Sequence, residues 1–276
     1  MAIILDWQAV MPLVLMLMAV GFLSGFLAGL LGIGGGAVVV IALFEAFSAV
    51  GVDPHVRMHL ATGTALSTLV PTTLRSFTTH RSRGVVDEGL VRRLAPWIVV
   101  GVAAGVAVAS RTGGDFLKWV WIVMGTFLGL RMLLGRDDWR LGPEVPRSWL
   151  VEAYASFVGF VSALMSIGGG AFVTLLMTLY GRPLHQAVGT SSAFGPLIAV
   201  PAVVGFAWAG WGRPDLPVGS IGYVSLIGAA LLVPTGWIAA PIGARLAHGL
   251  SKRKLEIAFA IFMGCVVLRY LIGFLK

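Results

Sequence analysis

Two short glycine runs are the residues in this sequence best suited to chemistry. Gly32-Ile33-Gly34-Gly35-Gly36 and Ser166-Ile167-Gly168-Gly169-Gly170 each lie between apolar stretches. Glycine is a poor helix former, so each run predicts a helix break. A helix restarting after the break presents free N–H groups and the positive end of its dipole, which together suit an anion. The candidate anion contacts are therefore Gly34, Gly35 and Gly36 with Gly168, Gly169 and Gly170; the alternative is that these glycines only let helices pack closely. A second repeated pair, Ala61-Thr62-Gly63-Thr64 and Ala187-Val188-Gly189-Thr190-Ser191-Ser192, sets hydroxyls beside glycine. Thr64, Thr190 and Ser191 offer an anion neutral donors, which release it more readily than a paired arginine would, although such hydroxyls also bond helix backbones with no further purpose. His59 and His185 each stand two residues before these steps. Histidine titrates in the physiological range, so both are candidates for a coupling proton, or else for capping a helix at the membrane interface. Glu45 is the carboxylate well inside an apolar run and is a third proton-coupling candidate, unless it reaches interfacial water. Arg75 either guides anions at a cytoplasmic mouth or snorkels to the interface.

Membrane helices must position these residues. The chain has 276 residues, 58% hydrophobic and only 12% charged, with a mean hydropathy of +0.92. A soluble domain needs more charge to cover its surface, and apolar runs of roughly 17–25 residues are of bilayer-spanning length. The expected class is an all-α polytopic membrane protein. The net charge of +8 fits cationic cytoplasmic loops, with no nucleic-acid partner. The opening MAIILDWQAV lacks a charged leader, so the first apolar run is expected to be retained as a span. A single cysteine, Cys265, excludes an internal disulfide and is expected to be a small buried helix residue. No nucleotide-binding loop, metal-ligand spacing or Ser/His/Asp set is present in the sequence. An enzyme is not expected, nor a cofactor, and transport would be secondary or channel-like.

The chain reads as one unit written twice. Gly36 maps onto Gly170 at an offset of 134, Thr64 onto Thr190 at 126, and Pro96 onto Pro234 at 138. Matches in a single order with small drifts at the loops indicate duplication, with a first repeat over 1–140 and a second over 141–276. Each repeat holds five apolar segments, roughly 10–31, 37–50, 60–79, 94–110 and 117–135, then 150–165, 171–180, 187–209, 219–247 and 255–275. The second segment of each repeat is short for a crossing. Arg75, Arg81, Arg83, Arg92 and Arg93 make the third-to-fourth connection of the first repeat cationic, whereas its counterpart carries Arg213. The fourth-to-fifth connection reverses this, with Arg111 and Lys118 in the first repeat against Lys252, Arg253 and Lys254 in the second. Cationic loops face the cytoplasm, so the charge pattern predicts two inverted repeats whose helices break at the glycine motifs. Irregular backbone at membrane depth is tolerated where it packs in protein or lines a watery cavity. The nine tryptophans are expected mostly at the membrane interfaces.

The paired G-x-G-G-G and A-x-G-T elements, with the His80-Arg81-Ser82-Arg83-Gly84-Val85-Val86-Asp87 loop, resemble the TauE/SafE family of bacterial and archaeal membrane permeases. The resemblance covers about residues 10–275. It implies a multi-pass protein of the cell inner membrane that exports a small sulfur anion such as sulfite, sulfoacetate or another organosulfonate, with protons as the coupling ion. Matched position by position, it supports the two glycine runs together with Thr64, Thr190 and Ser191. The sequence departs from the family pattern at Gly63-Thr64-Ala65, where a serine is frequent, and Ser166 stands where the first repeat has Gly32. The leading expectation is an alternating-access secondary transporter with the anion between the two breaks. The alternatives are a passive anion channel and an anion-binding sensor or assembly subunit; a homo-oligomer is compatible with each.

Overall fold

The computed structural model describes residues 7–31, 35–134, 140–249 and 252–274 and is almost wholly helical. The first repeat comprises α1 (Trp7–Leu31), α2 (Gly36–Ala49), α3 (Pro54–Ser82), α4 (Glu88–Ala109) and α5 (Gly114–Leu134). The second comprises α6 (Trp149–Met165), α7 (Gly170–Leu179), α8 (Leu184–Ser192), α9 (Phe194–Ala209), α10 (Leu226–Gly249) and α11 (Lys252–Phe274). A two-residue hairpin, β1 (Ser220–Ile221) and β2 (Val224–Ser225), precedes α10. The single apolar segment expected over 187–209 is thus divided at Ala193. Pro196 supplies a reason, because it cannot donate to the carbonyl of Ser192 and ends the continuous ladder there.

Local chemistry explains the helix starts. Asp53 accepts from the His55 amide ahead of Pro54, and Asp87 accepts from the Leu90 amide, so α3 and α4 each begin on a capping carboxylate. α2 and α7 begin differently. Gly35 (φ 61°) and Gly169 (φ 70°) precede them in the left-handed region, which glycine enters at little cost. With 14 and 10 residues, α2 and α7 are about 21 and 15 Å long, well short of a hydrocarbon core of about 30 Å. Among the described residues, the helices long and apolar enough to cross a membrane lie at Met11–Ala28, Glu88–Ala109, Gly114–Leu134, His185–Ala209 and Leu226–Gly243. α3 is long enough but too polar to join them. It lies instead at the centre, buried around its whole circumference from Leu60 to Leu66.

The repeats interlock rather than sitting side by side. α1 packs on α10 and α6 packs on α4, so the first helix of each repeat lies against the fourth segment of the other. α5 packs on α11, and α3 on α9. The last pair runs antiparallel: Gly63 faces Phe206 at one end, and Thr73 faces Gly195 at the other. Backbones approach closely at small residues, as where Gly25 of α1 meets the Gly236 carbonyl of α10. One continuous apolar core draws on both repeats.

Two expectations change here. Cys265 is exposed, because α11 presents Met263, Val266 and Tyr270 inward and Cys265 falls off that stripe. Trp121 is fully buried on α5, its ring tilted against that of Tyr270 at 6.1 Å, whereas Trp149, Trp208 and Trp211 are strongly exposed as interface residues should be.

Candidate functional site

The two breaks meet. α2 starts so close to the end of α6 that a Cβ on Gly36 would overlap the carbonyl oxygen of Ser166. Ser166, in the left-handed conformation at φ 51°, reaches back with its hydroxyl to donate to the Thr62 carbonyl at 2.9 Å. Gly168 lies against Thr73 and Gly195, and Gly169 against Ile198, Val158 and Ser162. Gly168, Gly169 and Gly170 are all buried, as is Gly36, with Gly35 half-buried. Gly34 lies outside the described residues. The starts of α2 and α7 each carry first-turn amides that no intrahelical carbonyl can satisfy.

Two residues that contact this junction, Ser162 and Thr62, carry hydroxyls without a partner among the described residues. Ser162 Oγ lies 3.4 Å from where a Cβ of Gly169 would stand, and Thr62 Oγ1 belongs to the residue whose carbonyl Ser166 holds. Both are fully buried and hydrogen-bond to nothing among the described residues. Each has a proton free to donate, which is what an anion needs from its surroundings.

The repeated threonines are engaged elsewhere. Thr64 Oγ1 accepts from the Ser225 amide at 2.8 Å, and Thr190 Oγ1 accepts from the Asp87 amide at 2.9 Å. Ser225 and Asp87 are themselves equivalent positions, at the offset of 138. Asp87 caps α4 through Leu90 and Ser225 caps α10 through Gly228, three residues on in both cases. The A-x-G-T motif of each repeat thus grips the loop that starts the fourth segment of the other. Gly63 presses on the Tyr223 carbonyl, and Gly189 presses on Val85 in the same way. Ser191 is occupied too, donating to the Val188 carbonyl and accepting from Thr174 Oγ1 at 3.0 Å.

The remaining candidates lie apart from the junction. His59 is buried, with Nε2 2.9 Å from the Ala109 carbonyl and 3.0 Å from that of Thr112, its ring 5.1 Å from Tyr223 and Nδ1 without a partner among the described residues. His185 is exposed in the first turn of α8. Glu45 on α2 is ion-paired with Arg269 on α11. Arg75 is exposed and covers the Trp237 ring at 4.6 Å.

Two cavities adjoin these elements. One of about 520 Å³ opens beside the Asp87 cap and is lined by Arg93, Arg147 and Arg182 against Asp87, Glu144 and Glu152. The other, of about 10 Å³, lies beside the first break at Ser24, Thr68 and Thr72. Sequence reasoning passed over Ser162, Ser24, Asp87 and Ser225 as functional residues and, of the Thr62-Gly63-Thr64 motif, selected Thr64 rather than Thr62. The equivalence of Asp87 and Ser225 was available in the repeat alignment; the unpartnered state of Ser162 and Thr62 was not.

Among the described residues, an almost wholly helical chain with several bilayer-length helices and a broken-helix junction at its centre has the architecture of a multi-pass membrane protein. A model of the family described as "Sulfite exporter TauE/SafE" matches residues 17–270, and the chain belongs to that family. A "Probable membrane transporter protein" of Haemophilus influenzae is 31% identical over 252 residues, covering 91% of this chain and 95% of that one. "Probable membrane transporter protein MJ0441" of Methanocaldococcus jannaschii is 24% identical over 273 residues, covering 96% and 97%. "Probable membrane transporter protein YdhB" of Bacillus subtilis is 24% identical over 250 residues, covering 88% and 94%. No solved structure matches the chain at a significant level. Transport through a lipid bilayer implies a small solute as the partner.

Proposed function

We propose that the protein is a secondary transporter that exports a small sulfur-containing anion, such as sulfite or an organosulfonate, by alternating access. The observation that carries this reading is the junction itself: the start of α2 against Ser166, with the buried hydroxyls of Thr62 and Ser162 beside it. Amides of Gly35, Gly36, Gly169 and Gly170 and these two hydroxyls form the cradle, and the dipoles of α2 and α7 add favourable potential for negative charge. The two repeats, 1–140 and 141–276, are inverted with respect to each other, which the antiparallel packing of α3 on α9 supports. In that arrangement the Thr64–Ser225 and Thr190–Asp87 bonds lie toward opposite membrane faces. Each closes one access route, and breaking one while keeping the other exposes the cradle to a single side. The sulfur-anion assignment follows the family's description, and the neutral donor set suits a solute that must be released.

The test uses Thr62→Val and Ser162→Ala. Removing a buried hydroxyl that bonds to nothing leaves the fold as stable or more so. Both variants should melt at or above the parent temperature, yet lose sulfite efflux from proteoliposomes roughly 10-fold or more, the equivalent of about 1.4 kcal/mol of lost ligand stabilisation. Parental efflux from both would remove the junction as the binding site.

A further inference from the structure

The two breaks occupy equivalent positions but differ in chemistry. Beside the first, Ser24 on α1 and Thr68 and Thr72 on α3 line the cavity of about 10 Å³, with Gly21, Gly25 and Gly236 on its walls. The equivalents beside the second break are Val158, Phe194 and Ile198, with Ala155 and Ile98 in place of Gly21 and Gly236. Those larger apolar groups fill the crevice there: Ile198 Cδ1 lies only 2.5 Å from where a Cβ of Gly169 would stand. The first repeat alone has hydroxyls in three places where the second has hydrocarbon.

The protons of these hydroxyls are already committed. Ser24 Oγ donates to the Gly35 carbonyl at 2.9 Å, Thr68 Oγ1 to that of Ala65 at 2.7 Å, and Thr72 Oγ1 to that of Leu69 at 3.0 Å. A hydroxyl has one proton and two lone pairs, so what remains for a guest is lone pairs alone. This is the opposite of Thr62 and Ser162, and it favours a cation. Among the described residues no carboxylate lines the cavity. A neutral oxygen set suits a monovalent ion, since divalent ions draw on carboxylates. The volume is about that of one water probe, which selects a small ion stripped of its shell.

We infer that the crevice between α1, α2, α3 and α10 is a sodium site that couples the ion to the anion. This rests on the transporter reading above. The coupling route is short: Ser24 holds the carbonyl of Gly35, the residue that opens α2, so an ion on Ser24 fixes the helix start that receives the anion. Its charge also offsets the anion's in a medium of low dielectric.

The experiment melts the purified full-length protein in detergent at constant ionic strength in sodium, potassium or choline chloride, with sulfite added as its choline salt in a parallel series. Sodium should raise the melting temperature saturably, and potassium and choline should not. Thr72→Val should raise the half-saturating sodium concentration ~10-fold or more, and Thr72→Ser should restore it. Ser24→Ala serves the same purpose should Thr72→Val fail to fold. Identical melting in the three salts, or a sodium response unchanged in both Ser24→Ala and Thr72→Val, overturns the site. Sulfite stabilisation without a sodium effect sinks the sodium site and leaves the anion cradle standing; a sodium effect without sulfite stabilisation does the reverse.

Discussion

His59 is buried, and its Nε2 sits between the carbonyls of Ala109 and Thr112, so the ring donates there and ties the end of α4 to α3. His59→Phe keeps the ring contact with Tyr223 but removes that donor from two carbonyls, and should lower stability by about 1–3 kcal/mol in a denaturation series. The pH dependence of sulfite flux should survive the change; a flattened profile would return His59 to the proton route. The exposed position of His185 on α8 gives the two histidines different surroundings despite equivalent places in the repeat. At Gly35 the positive φ and the overlap of a Cβ with Ser24 mean that a bulky replacement strains the backbone as well as filling the cradle. Thr62 and Ser162 are for that reason the cleaner probes of anion contact.

Among the elements, α3 and the α8–α9 pair would carry the moving joints of the proposed alternating-access cycle. Each sends one threonine across to the amide that begins a fourth segment of the other repeat. Thr64→Val leaves a buried amide and Thr190→Val a half-buried one without its acceptor, costing up to about 1–3 kcal/mol in the state where that contact forms. On the proposed cycle the two contacts close opposite routes, so the variants should bias the protein in opposite directions. Reporter cysteines at Arg83 and Arg213, on the loops beside the two contacts, should show this as one loop gaining and the other losing reactivity toward a thiol reagent. Equal changes at both loops in both variants would mean that the contacts are static braces.

For the whole molecule, the decisive matter is which way each repeat faces. Arg83→Cys and Arg213→Cys occupy equivalent connections, and inversion places them on opposite sides of the membrane. An impermeant thiol reagent, applied after the exposed Cys265 is replaced by serine, should label one from outside and the other only after permeabilisation. Labelling of both from the same side would mean parallel repeats, and the opposed gates would fall with them.

Several features were legible in the residues themselves. Hydropathy sets the membrane class because apolar runs of bilayer length have no soluble alternative. Glycine at positions 35 and 169 marks the breaks because the backbone there turns left-handed, and a duplicated pattern survives in sequence wherever both copies need the same local geometry. What sequence could not decide was which hydroxyls are free. Thr64, Thr190 and Ser191 look like ligand donors in a motif, yet packing brings an amide of the other repeat onto each threonine oxygen and Ser191 is bonded within its own repeat, while Ser162 and Thr62 have no partner among the described residues. A hydroxyl's role depends on what lies within about 3 Å of it, and for Thr64 and Thr190 those neighbours stand 161 and 103 residues away along the chain, beyond the reach of any local pattern.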